Sequence, residues 1–173
     1  MDFESVRTWN VGSSEVEVAM AEGRIESIHI ATAAGSPMLS KVEVSVTAGA
    51  GIDGDRYAAQ VGKFSDKPKS GRQITFIEAE AIEALATELG ITLQAGETRR
   101  NVVTRGVPLN HLVGREFEAG SVRFRGTELC EPCQYLTELT GKPGILPGLT
   151  HRGGLRAEVL QGGLLSLGDT VTF

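Results

Sequence analysis

The apolar residues of this chain recur at every second position in short runs, and glycines or polar turns cut each run before it lengthens. That pattern encodes strands, because successive side chains of an extended chain leave opposite faces. Residues 24–33 alternate, with Ile25, Ser27, His29 and Ala31 on one face and Glu26, Ile28 and Ile30 on the other, so both faces are expected to be partly covered. Residues 41–47 set Val42, Val44 and Val46 inward. Residues 73–77, 101–104 and 156–160 follow as short strands. Residues 116–124 form two strands about Ala119-Gly120, and residues 164–173 a hairpin-like stretch about Gly168-Asp169. Helical signals are fewer. Residues 78–89 carry acids in the first turn, a stripe of Ile82, Leu85, Ala86 and Leu89, and Gly90 past the end. Residues 109–113 suit a single turn, and 134–140 and 145–151 suit short helices. The expected fold is mostly β with inserted short helices, an α+β fold with a β-barrel-like core and the helices around one opening. The mouth of such a barrel is a usual ligand site.

Twenty-two glycines and only nine aromatic residues in 173 place the core on Val, Ile, Leu and Ala, joined by tight turns. No apolar run approaches the roughly 20 residues that span a bilayer. The start of the chain lacks the basic-then-apolar order of a signal peptide, so a cytoplasmic location is expected. Residues 1–21 suggest an N-terminal arm or extra strand, and 62–71 (GKFSDKPKSG) a mobile polar loop. The net charge of −5 conceals a basic segment: residues 99–156 hold nine basic and five acidic side chains. Arginine forks suit phosphate or carboxylate, although solvated strand faces account for a mild excess equally well. Nucleic acid is not expected, since no binding motif accompanies the charge.

Four segments carry chemistry. Both cysteines lie in Cys130-Glu131-Pro132-Cys133, between a strand and an expected helix. A helix start lowers a thiol's pKa, and the thiolate is the form that attacks sulfur and ligates metal. Cys133, next to the helix, is therefore the expected nucleophile or ligand, and Cys130 the auxiliary. Two buried cysteines acting as small hydrophobes would give the same sequence. A zinc site would need two further ligands from His29, His111 or His151, and a thioredoxin-type pair lacks its βαβ lead-in. The second segment, residues 51–57 (GIDGDRY), alternates Gly with Asp53 and Asp55 and ends in Arg56. It is too short for a calcium loop and is not a P-loop. It suits either a ligand loop, with Asp53, Gly54, Asp55 and Arg56 presented, or an internally capped turn. In the third, residues 96–101, alternation along a strand would point Arg99 and Arg100 to opposite faces, so that one holds a phosphate while Asn101 meets a heterocycle edge. A Glu97 salt link at a turn is the alternative. The fourth, His151-Arg152-Gly153-Gly154, presents His151 and Arg152 at a helix end.

In this order and spacing the segments resemble the MOSC family, named for the C-terminal domain of molybdenum-cofactor sulfurases. The resemblance covers residues 22–173, and includes residues 51–57, 71–81, 96–114, 128–133, 151–154 and 162–169. It implies a strained β-barrel domain and one key cysteine, which falls on Cys133. In relatives that reduce N-hydroxylated compounds that cysteine ligates molybdenum. In sulfurases the domain receives the cofactor near a sulfur-transfer site. The resemblance therefore implies the molybdenum cofactor, a phosphate-bearing pterin, with Asp53, Gly54, Asp55, Arg56, Arg99, Arg100, Asn101, His151 and Arg152 as its candidate holders. The sequence carries neither a pyridoxal-phosphate domain nor a ferredoxin cysteine set, so no pyridoxal phosphate is expected and a sulfurase or reductase partner is. A non-enzymatic carrier of persulfide or cofactor is the second expectation.

Overall fold

The alternating strands close into a barrel, which leaves the main sheet no open edge between its first and last strands. A computed structural model describes residues 21–67 and 69–173. The expected N-terminal arm lies almost wholly outside them. The barrel strands are β1 (Glu22–Ile30), β5 (Ile74–Glu78), β6 (Val102–Arg105), β7 (Glu116–Ala119), β8 (Val122–Leu129), β9 (Leu155–Gln161) and β11 (Thr170–Thr172). Their order is β11-β7-β8-β9-β5-β6-β1, and β11 pairs with β1 to close the ring. A short strand, β2 (Leu39–Lys41), pairs with the far half of β1. Every barrel pairing is antiparallel except β5 with β6. A parallel pair needs a crossover, and α1 (Ala79–Leu89) supplies it. A second sheet of β3 (Glu43–Thr47), β4 (Gly51–Ile52) and β10 (Gly163–Ser166), in the order β10-β3-β4, adds Val44, Val46, Ile52 and Leu165 to the barrel's core.

The core is divided in two by the barrel wall. Inside, Phe76, Phe117 and Phe124 meet pairwise at centroid distances of 5.2 to 5.4 Å, among Ile, Val and Leu. Outside, Ile77 and Val103 pack with Leu85 of α1, Leu136 of α2 (Gln134–Thr140), and Ile145 and Leu149 of α3 (Ile145–Leu149). Adjacent residues of β5 and β6 thus serve the two layers, and both strands are apolar on both faces. The helices sit on one side of the wall, next to the Cys130–Cys133 segment. No helix among the described residues is long and apolar enough to cross a membrane.

The structure corrects three expectations of detail. Val42 is exposed, because the chain bends there and divides the run between β2 and β3, which belong to different sheets. On α1 the buried residues are Ala79, Ala81 and Leu85, while Ala86 and Leu89 face solvent. The helix leaves β5 directly and Gly90, at φ 66°, ends it, so its facing residues are set by the strand's exit. The two halves of the tail do not pair with each other: β10 joins β3, and β11 lies between β7 and β1. Residues 62–67 of the polar segment make successive turns, and Arg72 Nη1 donates to the carbonyls of Phe64 and Lys67, each at 2.6 Å.

Candidate functional site

The strand β8 ends at Leu129, and the Cys130 amide then donates to the Gly154 carbonyl at 2.7 Å, tying the cysteine segment to the start of β9. Arg100 secures it from below. Its Nη2 donates to the Cys130 carbonyl at 2.7 Å, its Nε to Gly153 at 2.8 Å and its Nη1 to Thr98 at 3.0 Å. Cys133 is the N-cap residue of α2, with extended backbone, and its carbonyl accepts the amides of Leu136 and Thr137. Cys130 is buried and Cys133 half-buried, and both thiols are free.

Both cysteines line one pocket of about 60 Å³. Arg56, Lys63, Arg99, Arg100 and Arg156 surround it, with Glu131 the single carboxylate of the lining. Cys133 also packs against the outer core cluster on its other side. Arg99 and Arg100 reach the same pocket, against the expectation that they diverge. Arg99 adopts φ 63°, so the strand alternation that would separate them is broken at that residue. Arg99 donates to the Ser36 carbonyl, and Arg56 Nη2 donates to the Arg99 carbonyl at 3.2 Å. Burial and the neighbouring Arg56 hold the Arg99 guanidinium below the ordinary arginine value. Two cations held together in low dielectric favour an anion between them. Tyr57 is part of the wall, and burial pushes its phenol up, which keeps it a neutral donor at physiological pH.

The remaining candidates from the sequence fall elsewhere. Asp55 is fully buried and accepts the amides of Ala31 and Tyr57 at 3.1 Å, Asn101 Nδ2 at 3.3 Å and Arg56 Nη1 at 3.2 Å. Asn101 in turn accepts from Thr75 and donates to the His29 carbonyl. The two form an internal hub that fixes Arg56, and neither lines the pocket. Asp53 accepts from Thr47 Oγ1 at 2.9 Å, and Gly54 supplies φ 81° to the turn. His151 is 82% exposed in its side chain, and its amide and Nδ1 engage the Glu131 carboxylate. Arg152 pairs with Glu88 at 2.6 Å. Asp53, Gly54, His151 and Arg152 likewise lie outside the pocket lining. Lys63, Tyr57, Tyr135 and Arg156 line it without having been singled out. Arg156 has a sequence signal: it alternates with buried Leu155 and Ala157 and so leaves the opposite face of β9. No group of three His, Cys, Asp or Glu side chains among the described residues is set to hold a metal, so the zinc alternative lacks its ligands there.

Two open grooves flank the pocket. One, of about 480 Å³, shares Tyr57 and Phe64 with it. The other, of about 380 Å³, shares Arg99.

The MOSC domain family model matches residues 63–172 of the chain. Among solved structures, the YUAD protein from Bacillus subtilis superposes with a TM-score of 0.75 at 19% identity, over 89% of this chain and 96% of that one. YiiM from Geobacillus stearothermophilus gives 0.63 at 17% identity, over 87% and 75%. YiiM from Escherichia coli gives 0.61 at 16% identity, over 87% and 69%. These likenesses establish a shared fold. No curated protein matches the sequence.

Proposed function

The chain belongs to the MOSC domain family, and on that premise we propose that it binds the molybdenum cofactor, with Cys133 as the metal's protein ligand, and reduces N-hydroxylated compounds. The observation that carries this reading is a half-buried thiol opening on a pocket ringed by five cations and one carboxylate. The donor set fits the group. A soft sulfur suits molybdenum, and guanidinium groups suit a phosphate-bearing, multiply anionic ligand. A pocket of about 60 Å³ admits only the metal end, and the two grooves give room for a pterin and a substrate, one each. When bound, the cofactor supplies two-electron, oxygen-atom chemistry. The chain's own residues orient and balance charge. Arg100 holds the cysteine segment by its carbonyls, Arg99 and Arg156 supply positive charge, and the neutral Tyr57 phenol offers a hydrogen-bond donor at the wall. A partner protein would deliver the electrons.

A second reading, a carrier that holds a persulfide or the cofactor for another enzyme, is favoured by the presence of a second thiol, Cys130, on the same pocket. Elemental and pterin-fluorescence analysis of protein from a cofactor-producing host tests both. Wild type and Cys130→Ser are expected to carry molybdenum, and Cys133→Ser only background. Turnover of a hydroxylamine with a chemical reductant selects the oxidoreductase. A persulfide on Cys133 by mass spectrometry, without turnover, selects the carrier. Molybdenum retained equally in Cys133→Ser would sink the assignment of that thiol.

A further inference from the structure

We propose that the groove beside the Cys133 pocket is a phosphate-monoester subsite, which holds the tail of a substrate whose reacting end faces the cofactor held at Cys133; the latter half rests on the function proposed above. The groove's volume of about 480 Å³ lies within the range of small-molecule sites. Tyr57 and Phe64 line both the groove and the Cys133 pocket, so the two are direct neighbours. Gly49 and Ala50 leave one side low: Gly49 sits at φ +74°, and nothing lies within 4 Å of where a Cβ would stand.

The anion preference comes from Arg72 and Lys69. The plane of Arg72 is fixed, because Nη1 donates to two carbonyls and the guanidinium carbon stands 5.5 Å from the Phe64 ring centroid. Its Nε is buried and has no acceptor among the described residues. That nitrogen is closed off from the groove, and Nη2, which makes no hydrogen bond among the described residues, is the donor left for a ligand. Guanidinium groups bind phosphate oxygens by charge-assisted hydrogen bonds, and Arg72, which lines the groove, can offer one from Nη2. Lys69 adds a second cation. The carboxylate paired with it, Glu128, is 3.6 Å away, and both side chains are about half exposed. No carboxylate lines the groove among the described residues. Two cations balance a dianionic phosphate better than a single carboxylate, and the Tyr57 and Phe64 rings suit a flat ring system attached to it.

The test uses the full chain and three probes: adenosine 5′-monophosphate, adenosine, and adenosine 5′-carboxylate. Binding is followed by NMR. The monophosphate is expected to bind about tenfold more tightly than either other probe, and to shift the amides of Gly49 and Gln73. Lys69→Gln, an exposed position that leaves the fold intact, and Arg72→Lys are each expected to weaken it several-fold without changing adenosine binding. Equal affinity for monophosphate and adenosine, or unchanged monophosphate binding in both variants, overturns the proposal. Monophosphate that binds the cofactor-free protein but not the loaded one also overturns it, since the cofactor's own phosphate would then hold the groove. Cys133→Ser is expected to bind the monophosphate as wild type does. Failure of wild type to bind molybdenum would therefore remove the role of Cys133 while the phosphate subsite stands.

Discussion

Arg100 donates from every nitrogen of its guanidinium to backbone carbonyls, and it ties its own loop at Thr98 to the adjoining backbones of Gly153 and Cys130. Its role is positional. Arg100→Ala leaves buried carbonyls without donors and is expected to cost about 3 kcal/mol, and Arg100→Lys most of that, since one ammonium cannot reproduce the planar fork. Chemical denaturation measures the loss, and a cost below about 1 kcal/mol would show that water replaces the guanidinium. His29 gives a second residue-level expectation. It is buried between Ser27 and Ser40, and burial holds its pKa below the ordinary 6.5. The unfolded chain then binds the proton more readily than the folded one. Stability from this group is present above pH 6.5 and is lost as pH falls below 6.5 through the depressed folded value. The melting temperature of wild type should fall across that interval, and that of His29→Gln should fall less. Equal slopes in the two proteins would exclude His29 as the source.

Among the elements, the turn into β9 does more than its sequence suggests. The glycines after Arg152 were expected to present the residues before them. In the folded chain they let two backbones meet. A Cβ at Gly153 would stand 2.6 Å from the Cys130 carbonyl oxygen, and one at Gly154 1.9 Å from the Phe76 carbonyl oxygen, where φ is already +112°. Gly154→Ala therefore forces β9 off β5 and is expected to cost more than about 3 kcal/mol, or to prevent folding. A urea midpoint matching wild type would refute that contact. The α1 crossover belongs to the same scale: its strand-to-helix junction has no loop in which to rotate, so the strand's exit direction decides which residues of the helix are buried.

At the level of the whole molecule the barrel depends on its last strand. β11 has only three residues, yet it bridges β7 and β1, and Val171 is fully buried inside. Removing residues 170–173 exposes two strand edges and opens the interior core. The truncated chain is expected to lose its cooperative thermal transition by circular dichroism. A sharp transition at the wild-type temperature would mean that the remaining strands close by themselves. Closure also bears on the site, because β9 and the ends of β5 and β6 bring Arg156, Thr75, Arg99 and Arg100 to one side of the wall beside the cysteine segment.

The local pattern of the chain determined much of this protein. Period-two alternation marked most of the barrel strands, glycine marked the turns, and the spacing of Cys130 and Cys133 before a helical run marked the cap from which the site is built. Those are short-range properties, fixed by backbone geometry within a few residues. Tertiary structure alone decided which charges share a pocket. Asp55 and Asn101 carry the same polar signature as ligand residues, but they are buried as a hub because the loop before Tyr57 closes onto β1 and β6. His151, largely exposed, engages Glu131 of the pocket lining without lining the pocket itself, and Arg152 pairs with Glu88. Lys63, Tyr57 and Arg156 come from distant parts of the sequence to line the pocket that Cys133 also lines. Convergence of that kind follows from barrel closure and strand order, which couple residues many positions apart and leave no trace in the spacing of neighbours.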